Sequence, residues 1–138
     1  MITIPDFFNT EMLNISLEKL GLFFIIIFLT FIVRLVFLHI VEKKLIHLTQ
    51  KTRNEFDDLL IQASKAPVGY LILLHGFYIA IITLQLPETI GVVNVGVIVK
   101  NAYILVLSFI LLYYLFKLID LVGHFIFMVT EKTESKLD

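Results

Sequence analysis

LGLFFIIIFLTFIV, residues 20–33, runs without a charge, and its length decides the class of the fold. A bilayer core about 30 Å thick needs roughly 20 mostly apolar residues at 1.5 Å each. Extended outward, this stretch grows into a window at 17–40 that is long enough to cross, with Arg34 its late interruption. A second window, PVGYLILLHGFYIAIITLQL, occupies 67–86. It opens on Pro67, whose missing N–H suits a first helical position, and Pro87 closes it. The third is placed at 100–122 around YILVLSFILLYYLF, residues 103–116, because Gly91, Asn94 and Gly96 make the preceding stretch a poor helix start. The fold class expected is all-α integral membrane, with three transmembrane helices.

Composition agrees. Apolar residues make up 59% of the 138 and charged residues 17%, against roughly 45–50% and a quarter in a soluble domain. A formal charge of -1 gives no reason to expect nucleic acid as a partner. With no cysteine there is no disulfide framework, thiolate metal site or cysteine nucleophile.

The first 18 residues carry Asp6, Glu11 and Glu18 but no Lys or Arg, so the first apolar run is read as a retained helix and not a cleaved signal. Lys43, Lys44, Lys51, Arg53 and Lys65 crowd the segment 41–66, while the flanks on the other side offer only Lys19 and Lys100. The positive-inside rule then places 1–16 and the loop 87–99 outside, and 41–66 and 123–138 in the cytoplasm of a multi-pass protein of the cell (inner) membrane. Leu45, Leu48, Phe56, Leu59 or Leu60, and Ala63 recur at helical spacing through 41–66. Thr52 with Glu55 has the form of a capping box, so this segment reads as an amphipathic helical elbow.

Sliding the chain along itself by 81 residues lays TQKTRNEFD (49–57) on TEKTESKLD (130–138). The same register puts Lys19 on Lys100, Phe28 on Phe109 and Val41 on Val122. Such self-similarity reads as a duplicated unit of helix, cytoplasmic elbow and return helix, its second copy cut off at Asp138, and implies a parent chain that continues.

The stretch TQKTRNEFDDLLIQASKAPVGYLILLHGFYIAI resembles the K-T-x-x-x-x-D-D-x-L, Pro, membrane-helix pattern of the small-conductance mechanosensitive channel (MscS) family, most of all its larger members with extra outer helices. The carriers are Lys51, Thr52, Asp57, Asp58, Leu60, Pro67 and Gly76, with Lys132, Thr133 and Asp138 as a partial second copy. The family's Gly/Ala-rich pore helix and cytoplasmic β domain have no counterpart in these residues. The resemblance therefore implies the peripheral, tension-sensing transmembrane region of a channel, forming a homo-oligomer through the missing pore region.

Ionisable residues within a span are costly and call for a reason. Arg34 either snorkels to the cytoplasmic headgroups or holds an anionic lipid head or acidic partner. Lys117 and Asp120, three apart on one helix face, either pair with each other or leave Asp120 to Arg34. These three are the candidate lipid- or tension-sensing residues, with membrane lipids as partners. In the elbow, Asp57 and Asp58 are expected to bond Arg53 or Lys51 and, with Thr52, set its shape. Ala66, Gly69, Gly76, Ala80 and Thr83 trace a small-residue stripe, of which Gly69, Gly76 and Ala80 are expected to pack against another helix. Gly91 and Gly96 read as turn residues, and Tyr70, Tyr103 and Phe125 as interfacial anchors.

His75, near the middle of the second window, is expected to bond a carbonyl, Ser or Tyr. A haem or metal would need a second ligand at that depth, and His39, His47 and His124 all fall at the cytoplasmic ends. No Walker loop, Rossmann glycines, H-E-x-x-H or G-x-S-x-G occurs. The expectation is a non-enzyme without cofactor. The alternative function is that of a complete small helical membrane protein acting as a binding or assembly partner. A transporter finds little support without a broken span and a convergent polar site.

Overall fold

A computed structural model describes residues 15–48, 55–87, 89–90 and 93–134. They form three long helices: α1 (Leu17–Leu48), α2 (Glu55–Thr83) and α3 (Val95–Glu134). Two short strands, β1 (Thr89–Ile90) and β2 (Val93–Asn94), join α2 to α3 as an antiparallel ladder with Thr89 opposite Asn94 and Ile90 opposite Val93. All three helices are long and apolar enough to cross a membrane. Their lengths of 32, 29 and 40 residues correspond to about 48, 43 and 60 Å, so each outruns the hydrocarbon core by several turns.

Local chemistry sets the helix ends. Ser16 caps α1: its Oγ accepts the Lys19 N–H at 3.4 Å, and its carbonyl accepts the Leu20 N–H at 3.1 Å. Glu18 adds a negative charge to the first turn, where the helix dipole favours one. At the far end of α2, Gln85 adopts a left-handed backbone with φ 47°, its N–H bonds the Ile82 carbonyl at 3.0 Å, and Pro87 follows. That is the usual way a helix is stopped, with Gln in the place more often held by Gly. The Asn94 side chain accepts the Val97 N–H at 3.0 Å and so starts α3.

Three helix limits differ from the sequence reading. α1 continues past residue 40 to Leu48. α2 does not open at Pro67 but runs through it from Glu55, and Pro67 is fully buried. Proline in a helix interior forfeits the bond to the carbonyl four residues back, here Ala63, and burial of the ring against neighbouring side chains offsets that loss. α3 begins at Val95, ahead of Lys100, because Asn94, a poor residue inside a helix, serves as its N-cap. Gly96 accordingly lies in the first turn of α3, not in a turn of the loop. Gly91 and the elbow residues Lys51, Thr52 and Arg53 lie outside the described residues.

α2 is the central helix. α1 and α3 each pack along it and scarcely touch one another. The few buried side chains lie along these two seams: Thr30 on α1, Pro67 and Ala80 on α2, Leu121 on α3. Most of the rest of the apolar surface points outward, including Phe24, Phe28, Phe109, Phe116 and Ile119. An open row of helices with this surface has bilayer, not water, as its solvent.

Candidate functional site

The α1–α2 seam is built on glycine. A Cβ added at Gly76 would overlap the Thr30 side chain, so the helices approach there only because that atom is missing. The Thr30 hydroxyl donates to the Ile26 carbonyl at 2.7 Å and leaves no unpaired polar group at the contact. Two turns along, Gly69 faces Arg34 and Leu38, with room for a Cβ at 3.6 Å from Arg34 Nε and 3.7 Å from Leu38 Cδ2. Phe31 and Phe77 meet edge to face at 6.2 Å. Towards the other end Lys65 Nζ donates to Glu42 Oε1 at 2.5 Å, an ion pair open to solvent.

Arg34 Nε is buried against α2 without a hydrogen-bond partner among the described residues. No ion pair joins Arg34 to Asp120. A buried N–H of this kind is costly to leave without an acceptor.

The α2–α3 seam is polar and aromatic. His75 Nδ1 lies 2.7 Å from the Leu71 carbonyl and its Nε2 lies 3.0 Å from the Tyr103 hydroxyl. A carbonyl only accepts, so Nδ1 carries the proton, and Tyr103 then donates to Nε2. Both ring nitrogens have a partner. Tyr78 stacks on the Tyr103 ring at 4.3 Å. Tyr103 thus packs between α2 and α3. Towards the opposite end of the seam, Ser64 Oγ donates to the Leu60 carbonyl at 2.8 Å and accepts from the Tyr114 hydroxyl at 2.8 Å. Tyr70 meets Tyr113 at 6.2 Å, and Phe56 meets Phe125 at 5.0 Å.

Sequence reasoning missed Ser64, Tyr78 and Tyr114. For Tyr114 the signal was present: a tyrosine in the middle of an apolar span has a hydroxyl that must find a partner, and Ser64 of α2 provides it.

Lys117 does not pair with Asp120. Its ammonium lies over the Tyr113 ring, 5.8 Å from the centroid, one turn back on the same helix, and the Asp120 carboxylate has no ion pair among the described residues. Both face a groove of about 490 Å³ between α2 and α3, which Gln62, Tyr113 and His124 also line. A second groove, of about 430 Å³ and almost wholly apolar, lies between α1 and α2 beside Thr30, His75 and Gly76. In the elbow, Asp57 is exposed, whereas Asp58 is half-buried with Oδ1 unpartnered among the described residues. No cluster of His, Cys, Asp or Glu among the described residues has the geometry of a metal site.

Over 80 residues the chain is 30% identical to an "Uncharacterized MscS family protein" of Aquifex aeolicus (strain VF5). The match covers 58% of the present chain but 22% of that relative, so the chain spans about a fifth of the MscS-family protein it resembles. No family model matches the chain. No solved structure matches it either. The MscS likeness joins three apolar helices to a channel family. It does not assign a role to any single side chain.

Proposed function

We propose that this chain is the tension-sensing transmembrane region of an MscS-like mechanosensitive channel, peripheral to the pore and without the conduction path. The observation that carries the reading is the open row of three long helices, with α2 in the centre and apolar side chains directed outward on both flanks, in a chain related to an MscS-family protein. Bilayer tension favours whichever state covers more membrane area. Helices held along narrow seams can tilt or separate under tension and so shift a closed-to-open equilibrium without chemistry. In this reading the chain lies in the inner membrane with its N-terminus outside. Arg34, Lys117 and Asp120 contact lipid at the inner boundary, and the elbow from Lys51 to Asp58 transmits tilt. Subunits assemble as a homo-oligomer through a pore-forming region.

The test is a patch recording on the chain joined to the pore-forming part of an MscS-family channel. Charge reversal at Asp57 and Asp58 is expected to move the tension threshold. An unchanged threshold removes the elbow from the mechanism, and a chimera whose gating is indifferent to removal of all three helices removes the sensing role itself. The chain alone, reconstituted in planar bilayers, is expected to pass no current.

A further inference from the structure

The groove between α2 and α3 holds one cation and one anion that do not satisfy each other. Lys117 and Asp120 are separated by three residues on one helix, a spacing at which side chains commonly pair, yet no ion pair joins them. The Tyr113 ring beneath Lys117 offers its ammonium an alternative resting place. Lys117 and Asp120 contribute one charge of each sign to the lining of the groove, and Gln62 adds both a donor and an acceptor. A site of this kind discriminates against a simple anion, which Asp120 repels, and against a simple cation, which Lys117 repels.

The order of the two charges along α3 adds a direction. Lys117 lies about 4.5 Å, three residues at 1.5 Å each, further from the C-terminal end of the helix than Asp120. Where α3 leaves the bilayer towards that end, the cation is the deeper group and the anion the shallower one. A phospholipid with a primary amine has the matching order: its phosphate sits next to the acyl chains, and its ammonium lies further towards water on a two-carbon bridge.

The geometry points to this groove as a site for a zwitterionic ammonium–phosphate ligand, the headgroup of an amine-bearing phospholipid, with the phosphate on Lys117 and on Gln62, which the Ser64–Tyr114 and Phe56–Phe125 contacts place level with it, and the ammonium on Asp120. The assignment rests on the reading that this end of α3 lies at a lipid headgroup boundary, and it goes beyond general lipid contact by naming the chemistry selected. Asp120 is the selectivity element. A trimethylated ammonium has no N–H to donate to a carboxylate, and a glycerol headgroup has no cation.

The experiment is native mass spectrometry of the full chain released from detergent with equimolar phosphatidylethanolamine, its mono-, di- and trimethylated analogues, and phosphatidylglycerol. The unsubstituted chain is expected to retain phosphatidylethanolamine on the order of tenfold more than phosphatidylcholine or phosphatidylglycerol, as fits one charge-assisted contact at a half-exposed site. Retention should fall stepwise with each added methyl. Asp120→Asn should bring phosphatidylethanolamine down to the phosphatidylcholine level, and Lys117→Gln should lower all of them. Soluble phosphoethanolamine that displaces the lipid assigns the site to a free zwitterion, and failure to displace it assigns the site to the bilayer lipid.

Equal retention of all lipids by the unsubstituted chain overturns the proposal, as does preference for phosphatidylglycerol or selectivity that survives Asp120→Asn. The methylation series alters only the lipid, so it decides the question even if a substituted chain is unstable. Lipid selectivity without a tension response would remove the sensing function and leave this site standing. A tension response without selectivity would remove the site alone.

Discussion

Tyr103 on α3 donates its hydroxyl hydrogen to His75 Nε2 on α2 across 3.0 Å, inside two helices that are apolar enough to cross a membrane. The bond closes a chain that begins at the Leu71 carbonyl and passes through the imidazole to a tyrosine stacked on Tyr78. Each polar group meets the need of the next, so the histidine is accommodated between two apolar helices. Water does not compete for these bonds within a bilayer core, yet the unfolded reference state in the membrane finds partners too. Such a bond is therefore worth about 0.6 kcal/mol on average and up to about 1.7.

A double-mutant cycle measures this directly. His75→Phe and Tyr103→Phe should each weaken the docking of α2 on α3, and their combined effect should fall short of the sum by about 0.6–1.7 kcal/mol. Unfolding in mixed micelles is the readout. Strict additivity would mean that the two rings are neighbours without a bond.

The three glycines with different surroundings should respond differently to alanine. Gly76→Ala drives a methyl group into Thr30 and should cost about 1–3 kcal/mol as overpacking of the α1–α2 seam. Gly69→Ala meets only ordinary contacts with Arg34 and Leu38, and Gly123→Ala meets nothing within 4 Å. Both should be neutral or stabilising by up to about 1 kcal/mol, since alanine is the better helix former. Melting temperatures of the three variants in one detergent give the ranking, and a Gly76→Ala chain as stable as the parent would contradict the seam.

Gln85 carries its left-handed backbone without the freedom of glycine. Gln85→Gly should relieve about 1 kcal/mol of that cost and raise the melting temperature, whereas Gln85→Val, β-branched, should lower it. Equal melting temperatures for the two variants would show that the turn after α2 is not formed at φ 47°.

Glu42 and Lys65 pair across the α1–α2 seam with 56% and 30% of their side chains exposed. Exposure and salt screening keep such a pair weak. Lys65→Glu alone should destabilise slightly, and the exchange Glu42→Lys with Lys65→Glu should restore the parent value. If the exchanged chain is no better than the single variant, the pair contributes nothing.

Much of the architecture was legible in residue order. Unbroken apolar runs at 20–33 and 103–116 and the run of 67–86 admit no solution but three long helices, because a buried backbone in lipid must bond to itself and only a helix does so within one segment. The MscS resemblance was legible too, since it rests on residue types at fixed spacing. Helix limits were less so. Pro67 and Asn94 are punctuation marks whose sense depends on what surrounds them, and burial of the first and capping by the second reversed their usual reading.

What the residue order left open was which side chains meet. Thr30 against Gly76, Tyr103 on His75, Tyr114 on Ser64, and Lys117 over Tyr113 instead of beside Asp120 all depend on the rotation and register of one helix against another. A sequence apolar around its whole circumference carries almost no signal for that rotation. In water the polar face would mark it; in lipid, where every face is apolar, only the fit of one helix surface into the next decides.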